Sequence, residues 1–163
     1  MSPMEDKIIP FEDLSPLAEK LHAAGKKIVT TNGCFDLIHW GHIKYLEAAR
    51  GLGDLLLCGV NSDLSVKRLK GPQRPLWNEQ IRALQLAALQ AIDYVTIFHE
   101  ETPLRFLEIV RPHLHVKGAD YERKEIPEKK ILSSQGGKLI FMPLVEGFST
   151  TSLIQKLKLL SNE

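Results

Sequence analysis

Apolar residues along the chain occur in two forms, short continuous runs and longer stretches with helical spacing. KKIVTT (26–31), LLLCGV (55–60), YVTIF (94–98), LHV (114–116) and KLIFM (138–142) are β-rich runs of strand length. LLLCGV lacks polar alternation, as a strand buried on both faces should. Between these runs the spacing changes. HIKYLEAAR (42–50) sets Ile43, Leu46 and Ala49 at helical intervals and stops at Gly51 and Gly53. Asn78 can cap a helix running to about residue 91, with Ile81, Leu84, Ala88 and Ala91 along one face. Further helices are predicted over 16–24, after Ser15 and before Gly25, and over 62–68, capped by Ser62. Three more are predicted: from Thr102-Pro103 to just before Pro112, from Pro127 to Gly136-Gly137, and from a Ser149 cap to about Leu160. GPQRPLW (71–77) reads as a loop, by its glycine and two prolines.

Strands that alternate with helices imply a parallel sheet covered on both faces. With right-handed crossovers this is an α/β fold, a Rossmann-like, doubly wound five-stranded parallel sheet. No linker, repeat or low-complexity stretch interrupts it, so one domain over residues 1–163 is expected. Ligands of such folds bind outside the carboxyl ends of the strands. The turns after residues 31, 60, 98, 116 and 142 are therefore the places to look for chemistry.

Composition narrows the picture. Lys plus Arg is 21 and Asp plus Glu is 20, a net charge of +1, without the basic excess of a dedicated nucleic-acid binder. No apolar run reaches the length of a membrane span, and no signal peptide is apparent. Two cysteines, Cys34 and Cys58, cannot form a disulfide framework, which suits a reduced cytoplasmic setting.

The turn after the first strand reads TNGCFDLIHWGH (31–42). Gly33 lets a ligand approach the backbone. His39 and His42 flank Gly41 in a His-x-x-Gly-His pattern, with the second histidine expected to open a helix. Two imidazole donors at a helix N-terminus suit a phosphate whose charge grows during reaction. A zinc site would need a third ligand, and only Asp36 or Cys34 offers one in this segment. Ser149, Thr150 and Thr151 form a second helix start, where hydroxyls and free N–H groups converge. Lys70 and Arg74, in a flexible basic loop, can clamp a triphosphate or sugar phosphate. Lys117, Gly118 and Asp120 follow the fourth strand, at the binding edge of the sheet.

TNGCFDLIHWGH resembles the signature of the cytidylyltransferase-like nucleotidyltransferases. The similarity continues, in order, through VNSD (60–63), VKRLKGPQRP (66–75), EQIRALQLAAL (79–89), VKGADY (116–121) and EGFSTTSLIQKL (146–157). Within that superfamily the chain looks most like the D-glycero-β-D-manno-heptose 1-phosphate adenylyltransferases, chiefly through VKGADY. In many bacteria that activity is one half of a bifunctional protein with a sugar kinase, and this chain resembles a stand-alone form. Glycerol-3-phosphate cytidylyltransferase is the alternative, sharing FDLIHWGHIK and Trp40. Cys34 stands where relatives often have Val or Thr, and Ala119 where the heptose enzymes commonly have Gly.

The resemblance implies transfer of a nucleotidyl group from ATP to a sugar 1-phosphate, with Mg2+ accompanying the triphosphate. It implies His39, His42, Lys44 and Arg74 in catalysis. Asn32, Gly33, Cys34, Phe35, Gly41, Lys70, Ser149, Thr150 and Thr151 would hold the nucleotide, with backbone N–H groups near Cys34 and Phe35 on the α-phosphate. The loop from Val145 to Phe148 would hold the base. Asp36, Asn61, Asp63, Arg82, Lys117, Gly118 and Asp120 would serve the second substrate, with Asp36 and Asp63 orienting neighbours or the magnesium ion. Arg82 could equally brace a dimer, and relatives are commonly dimers or larger. Two further readings are disfavoured. A nucleotide-binding regulator without catalysis would not need the histidine pair, Lys70, Arg74 and the STT segment together. A tRNA-synthetase fragment would need a lysine-rich signature loop, which is absent from the sequence.

Overall fold

In a computed structural model that describes residues 2–161, the sheet has the strand order β3-β2-β1-β4-β5, with every pairing parallel. The strands are β1 (Ile28–Gly33), β2 (Leu55–Asn61), β3 (Tyr94–Phe98), β4 (Leu114–Gly118) and β5 (Lys138–Met142). The helices are α1 (Leu14–Ala23), α2 (Trp40–Arg50), α3 (Asp63–Lys70), α4 (Glu79–Ala87), α5 (Leu104–Val110), α6 (Glu128–Ser134) and α7 (Thr150–Leu160). The chain winds outward from β1 in one direction to β2 and β3, and in the other to β4 and β5. The gap between the carboxyl ends of β1 and β4 is thus the switch point, where a crevice must open.

Period-two alternation along the strands feeds two separate apolar layers. Val29, Leu56, Cys58, Val60, Val95 and Val116 point to one face, with Leu46 and Ala49 of α2 and Ala83, Leu86 and Ala87 of α4. Ile28, Leu55 and Leu57 point to the other, with Leu14 and Leu21 of α1, Phe106, Leu107 and Val110 of α5, and Leu132 of α6. Both faces being covered explains why LLLCGV is apolar throughout.

The fold class expected from the sequence is the one observed. The differences are at element ends. β1 runs to Gly33 and β4 to Gly118, so Asn32, Gly33, Lys117 and Gly118 are strand residues and not turn residues. α4 stops at Ala87 and not near residue 91. The carbonyls of Leu89 and Ile92 accept from Lys7 Nζ at 3.4 and 2.8 Å, which fixes a turn into β3. That partner comes from an N-terminal segment the helical periodicity does not report. α1 begins at Leu14, with Pro16 inside its first turn, where a missing N–H removes no helical bond.

Candidate functional site

The segment between β1 and α2 makes the floor of a cleft of about 320 Å³ at the switch point. Phe35 is a non-glycine residue in the left-handed region, φ 47°, yet its ring is buried under α2. Backbone strain of this kind persists only where packing holds it, and it is common at ligand clamps. His39, not His42, caps α2, and His42 is the third helical residue. The earlier boundary places both rings at the helix start. Their centroids are 3.9 Å apart in a stacked arrangement. Gly41 permits this packing, because a Cβ there would meet His39 Cε1 at 2.9 Å and the Cβ of Phe148 at 3.1 Å.

The protonation of the pair follows from the same geometry. The backbone N–H of His39 donates to His42 Nδ1 at 3.3 Å. Nδ1 is thus the acceptor, and the proton of the neutral ring lies on Nε2. Burial, then the neighbouring charge of His39, pushes the His42 imidazole down to about 4. Burial likewise lowers His39. Both rings are neutral at pH 7 and enter the cleft as hydrogen-bond donors, not as standing charges.

The basic loop after α3 is anchored to this floor by Asp36, whose side chain is almost wholly buried. It accepts from Arg74 Nε at 2.7 Å, from the Leu76 N–H at 2.8 Å and from the Trp77 N–H at 3.0 Å. Burial alone would raise this carboxyl, but those N–H donors and the guanidinium outweigh it and hold it below the usual carboxylate range. Among the described residues the terminal nitrogens of Arg74 have no hydrogen-bond acceptor, and Arg74 and Lys70 both line the cleft. The opposite wall is the start of α7. Ser149 Oγ accepts from the Ser152 N–H at 3.0 Å, and Ser152 Oγ accepts from the Ser149 N–H at 3.2 Å. The N–H groups of Thr150 and Thr151 belong to the first helical turn, which has no intrahelical acceptors for them.

The cleft therefore gathers Asn32, Gly33, Cys34, Phe35, Asp36, His39, Gly41, His42, Lys70, Arg74, Gly118, Asp120, Ser149, Thr150 and Thr151, from four separate chain segments. Other residues singled out in the sequence lie elsewhere. Lys44 is on the exposed side of α2, 2.9 Å from Glu47 Oε2 and 5.0 Å from the Trp40 ring. Asn61 donates to Ser65 Oγ at 2.9 Å behind the sheet edge. Arg82 is wholly buried and gives its guanidinium to Trp77 O, Cys34 O and Asp63 Oδ1. It braces the floor from below, and Asp63 is its counter-ion. Lys117 is paired with Glu128 at 2.8 Å and lies 4.6 Å from the Tyr121 ring. Cys34 has its thiol raised by burial, which disfavours the thiolate a nucleophile needs.

Tyr45, Tyr121 and Leu144 also line the cleft, and the sequence did not single them out. Tyr45 was detectable, since it lies one helical turn after His42 on the same face. Its hydroxyl donates to Val116 O at 2.8 Å. Leu144 carries no signal beyond apolarity in a loop, whereas Val145 and the exposed Phe148, from the loop expected to hold the base, line the cleft beside it. No group of three or more His, Cys, Asp and Glu side chains placed to hold a metal occurs among the described residues. Nor is any described helix long and apolar enough to cross a membrane.

The buried histidines predict a pH dependence. His115 is fully buried, and burial together with Lys117 pushes it down to about 3. An unfolded histidine titrates near 6.5, so below that pH the unfolded chain binds more protons than the native one. The contribution of these rings is fully present above about 6.5 and is lost as the pH falls toward the folded values near 4 and 3. Urea midpoints should thus fall between pH 7 and pH 4.5, and less steeply in His115→Gln. Parallel curves for the two proteins would show that His115 titrates normally.

Comparison with known proteins agrees with this geometry. The chain is 50% identical over 153 residues to bifunctional protein HldE of Syntrophotalea carbinolica, covering 94% of this chain and 31% of that protein. It is 49% identical over 156 residues to bifunctional protein HldE of Geobacter metallireducens, covering 96% and 32%. The chain thus spans about a third of the length of these curated relatives. The crystal structure of a lipopolysaccharide core biosynthesis protein from Thermoplasma volcanium matches with a TM-score of 0.60 and 27% identity, over 74% of this chain and 98% of that one. The cytidylyltransferase-like family model matches residues 30–156, a stretch that begins within β1, takes in the histidine turn, the basic loop and the Ser149 cap, and ends within α7. The chain is a member of the cytidylyltransferase-like family.

Proposed function

We propose that this chain acts as one nucleotidyltransferase domain that transfers AMP from ATP to D-glycero-β-D-manno-heptose 1-phosphate. A sugar phosphate oxygen attacks the α-phosphorus, the bond to the β-phosphate bridging oxygen breaks, and pyrophosphate leaves with ADP-heptose as the other product. The observation that carries the chemistry is the convergence of two helix N-termini, two neutral histidines and two basic side chains on one cleft. Nothing there needs to become covalent, since phosphoryl-type transfer asks mainly for positioning and charge stabilisation. His39 and His42 donate to phosphate oxygens as charge develops. Lys70 and Arg74 neutralise the triphosphate, and the α7 start holds its far end. The cleft residue Asp120 and the adjoining Gly118 face the sugar.

The choice of heptose rests on the similarity to the HldE proteins across nearly the whole chain. ATP and magnesium enter together as substrate. The carboxylates fit a borrowed ion better than a resident one, because Asp36 is consumed by Arg74 and two backbone N–H groups. We place the reaction in the cytoplasm and the enzyme in a homodimer, the exposed Leu157 and Leu160 of α7 offering apolar surface for association.

The test is pyrophosphate release from ATP or CTP, each with heptose 1-phosphate or glycerol 3-phosphate. The pair ATP and heptose 1-phosphate is expected to give the highest kcat/KM. A cleft that hydrogen-bonds several hydroxyls rejects an analogue that lacks them. Turnover of CTP with glycerol 3-phosphate, without ADP-heptose, would assign the cytidylyltransferase activity instead.

A further inference from the structure

Asn32 lies where β1 and β4 part. On one side it pairs with Gly59 of β2, but the ladder to β4 ends one residue earlier, at Thr31 and Val116. From the last rungs, side chains carry the connection between the two strands on to Asn32. His115 of β4 is wholly buried, with Nδ1 2.8 Å from Thr30 Oγ1 and Nε2 3.1 Å from Asn32 Oδ1. Thr30 and Asn32 are two apart on one strand, so both face the same side of the sheet.

An amide oxygen only accepts, so the ring proton is on Nε2 and is donated to Asn32 Oδ1. Nδ1 is then an acceptor, and the Thr30 hydroxyl donates into it. The other acceptor for that hydroxyl, Leu114 O, is 3.5 Å away, against 2.8 Å for the ring nitrogen. Burial and the nearby Lys117 keep the ring neutral, with one donor and one acceptor. Once Oδ1 is taken, the amide nitrogen of Asn32 is the group left for the cleft that Asn32 lines. Among the described residues no protein group is recorded as accepting from it.

We propose that Thr30, His115 and Asn32 form a positioning relay that locks the Asn32 amide with its NH2 toward the cleft, where it donates to a phosphoryl oxygen of a bound substrate. An unrestrained amide would present its oxygen half the time and repel the same anion. His115 touches no substrate and acts only through Asn32. This rests on the phosphate-transfer reading above. The oxygen belongs either to the nucleoside triphosphate or to the sugar phosphate, and two arms of one experiment separate them.

The dissociation constant of ATP and the KM of heptose 1-phosphate are measured for the wild type, Asn32→Ala, His115→Leu and the double variant. Asn32→Ala should weaken one of the two by about 10–100-fold, as for one lost hydrogen bond to a charged group, and His115→Leu the same one by at least about 2-fold, as for an amide that spends half its time turned the wrong way, each with a smaller change in kcat. The double variant should be no weaker than Asn32→Ala alone, because His115 has nothing left to orient. His115→Gln, which keeps a donor in the Nε2 position, should recover most of the affinity and guards against misfolding in the leucine variant. Imidazole ¹⁵N shifts should show the proton on Nε2. Additive losses in the cycle, unchanged affinity in both arms for His115→Leu, or a proton on Nδ1 would each overturn the relay while leaving ATP binding intact. Failure of the wild type to bind ATP would overturn the phosphate-transfer reading and the relay together.

Discussion

Replacing either His39 or His42 by alanine is expected to lower kcat by about 10²–10³, the range for removing one preorganised donor to a developing charge. The geometry argues for donors and against general bases. His42 is pushed down to about 4, and its Nδ1 already accepts from the His39 backbone at 3.3 Å. A neutral ring with its proton on Nε2 can donate to a phosphate oxygen without first taking up a proton. As negative charge grows on that oxygen the bond strengthens, so the loss should appear in kcat more than in KM. His39 stacks on His42 at 3.9 Å and is itself lowered by burial. Each ring also helps place the other, so the double variant should lose less than the product of the two single effects. Folding should survive, since both side chains are only partly buried. Steady-state kinetics with thermal melts on the same preparations check both halves. Wild-type kcat in either variant would move the reacting centre away from this pair.

Much of the fold was legible because burial on both faces leaves an unambiguous imprint. LLLCGV can be apolar throughout only as a strand with α2 and α4 on one side and α1, α5 and α6 on the other. Glycines and prolines then marked the crossovers. The ends of elements were less legible, for a physical reason. Asn32, Lys117 and Gly118 look like turn residues by composition, yet neighbouring strands supply ladder partners that extend β1 and β4 through them. The turn after α4 depends on Lys7, more than eighty residues away in the chain, as the acceptor distances show.

At the site, chain order and turn chemistry identified which segments converge, because strand carboxyl ends meet at the switch point. They did not say which charged side chains within those segments face inward. Lys44 and His42 are two residues apart, but helical rotation turns Lys44 to solvent and Tyr45 toward the cleft. Asp36 and Arg82 carry charges of the type a phosphate site uses, yet both are consumed in holding the floor to the basic loop. Letters record the donor and not its acceptor. His115 gave no signal at all, being one polar letter in the apolar run LHV.

Arg82 carries the second large effect, and it falls on stability. Its side chain is fully buried and its guanidinium reaches Cys34 O at 2.6 Å, Trp77 O at 3.0 Å and Asp63 Oδ1 at 2.9 Å. Those acceptors belong to the histidine turn, the end of the basic loop and the start of α3. Planar forked donors can serve all of them at once, which a lysine ammonium cannot. Arg82→Ala strips donors from two carbonyls, leaves Asp63 without its counter-ion and opens a cavity. Asp63 is 32% exposed and water can screen it, so the cost falls mainly on the two stripped carbonyls and the cavity, about 3–5 kcal/mol together. For a chain of this size that lowers Tm by about 6–20 °C. Arg82→Lys, keeping the charge toward Asp63 but losing the carbonyl contacts, should fall between wild type and alanine. Because the guanidinium lies beneath the floor, weakened substrate binding should follow the loss of order in the cleft and should be recovered in part at low temperature, where the folded population is restored. Calorimetric melts together with KM values at two temperatures distinguish the possibilities. An alanine variant as stable as wild type, but with substrate binding lost at every temperature, would return Arg82 to the residues that touch the ligand.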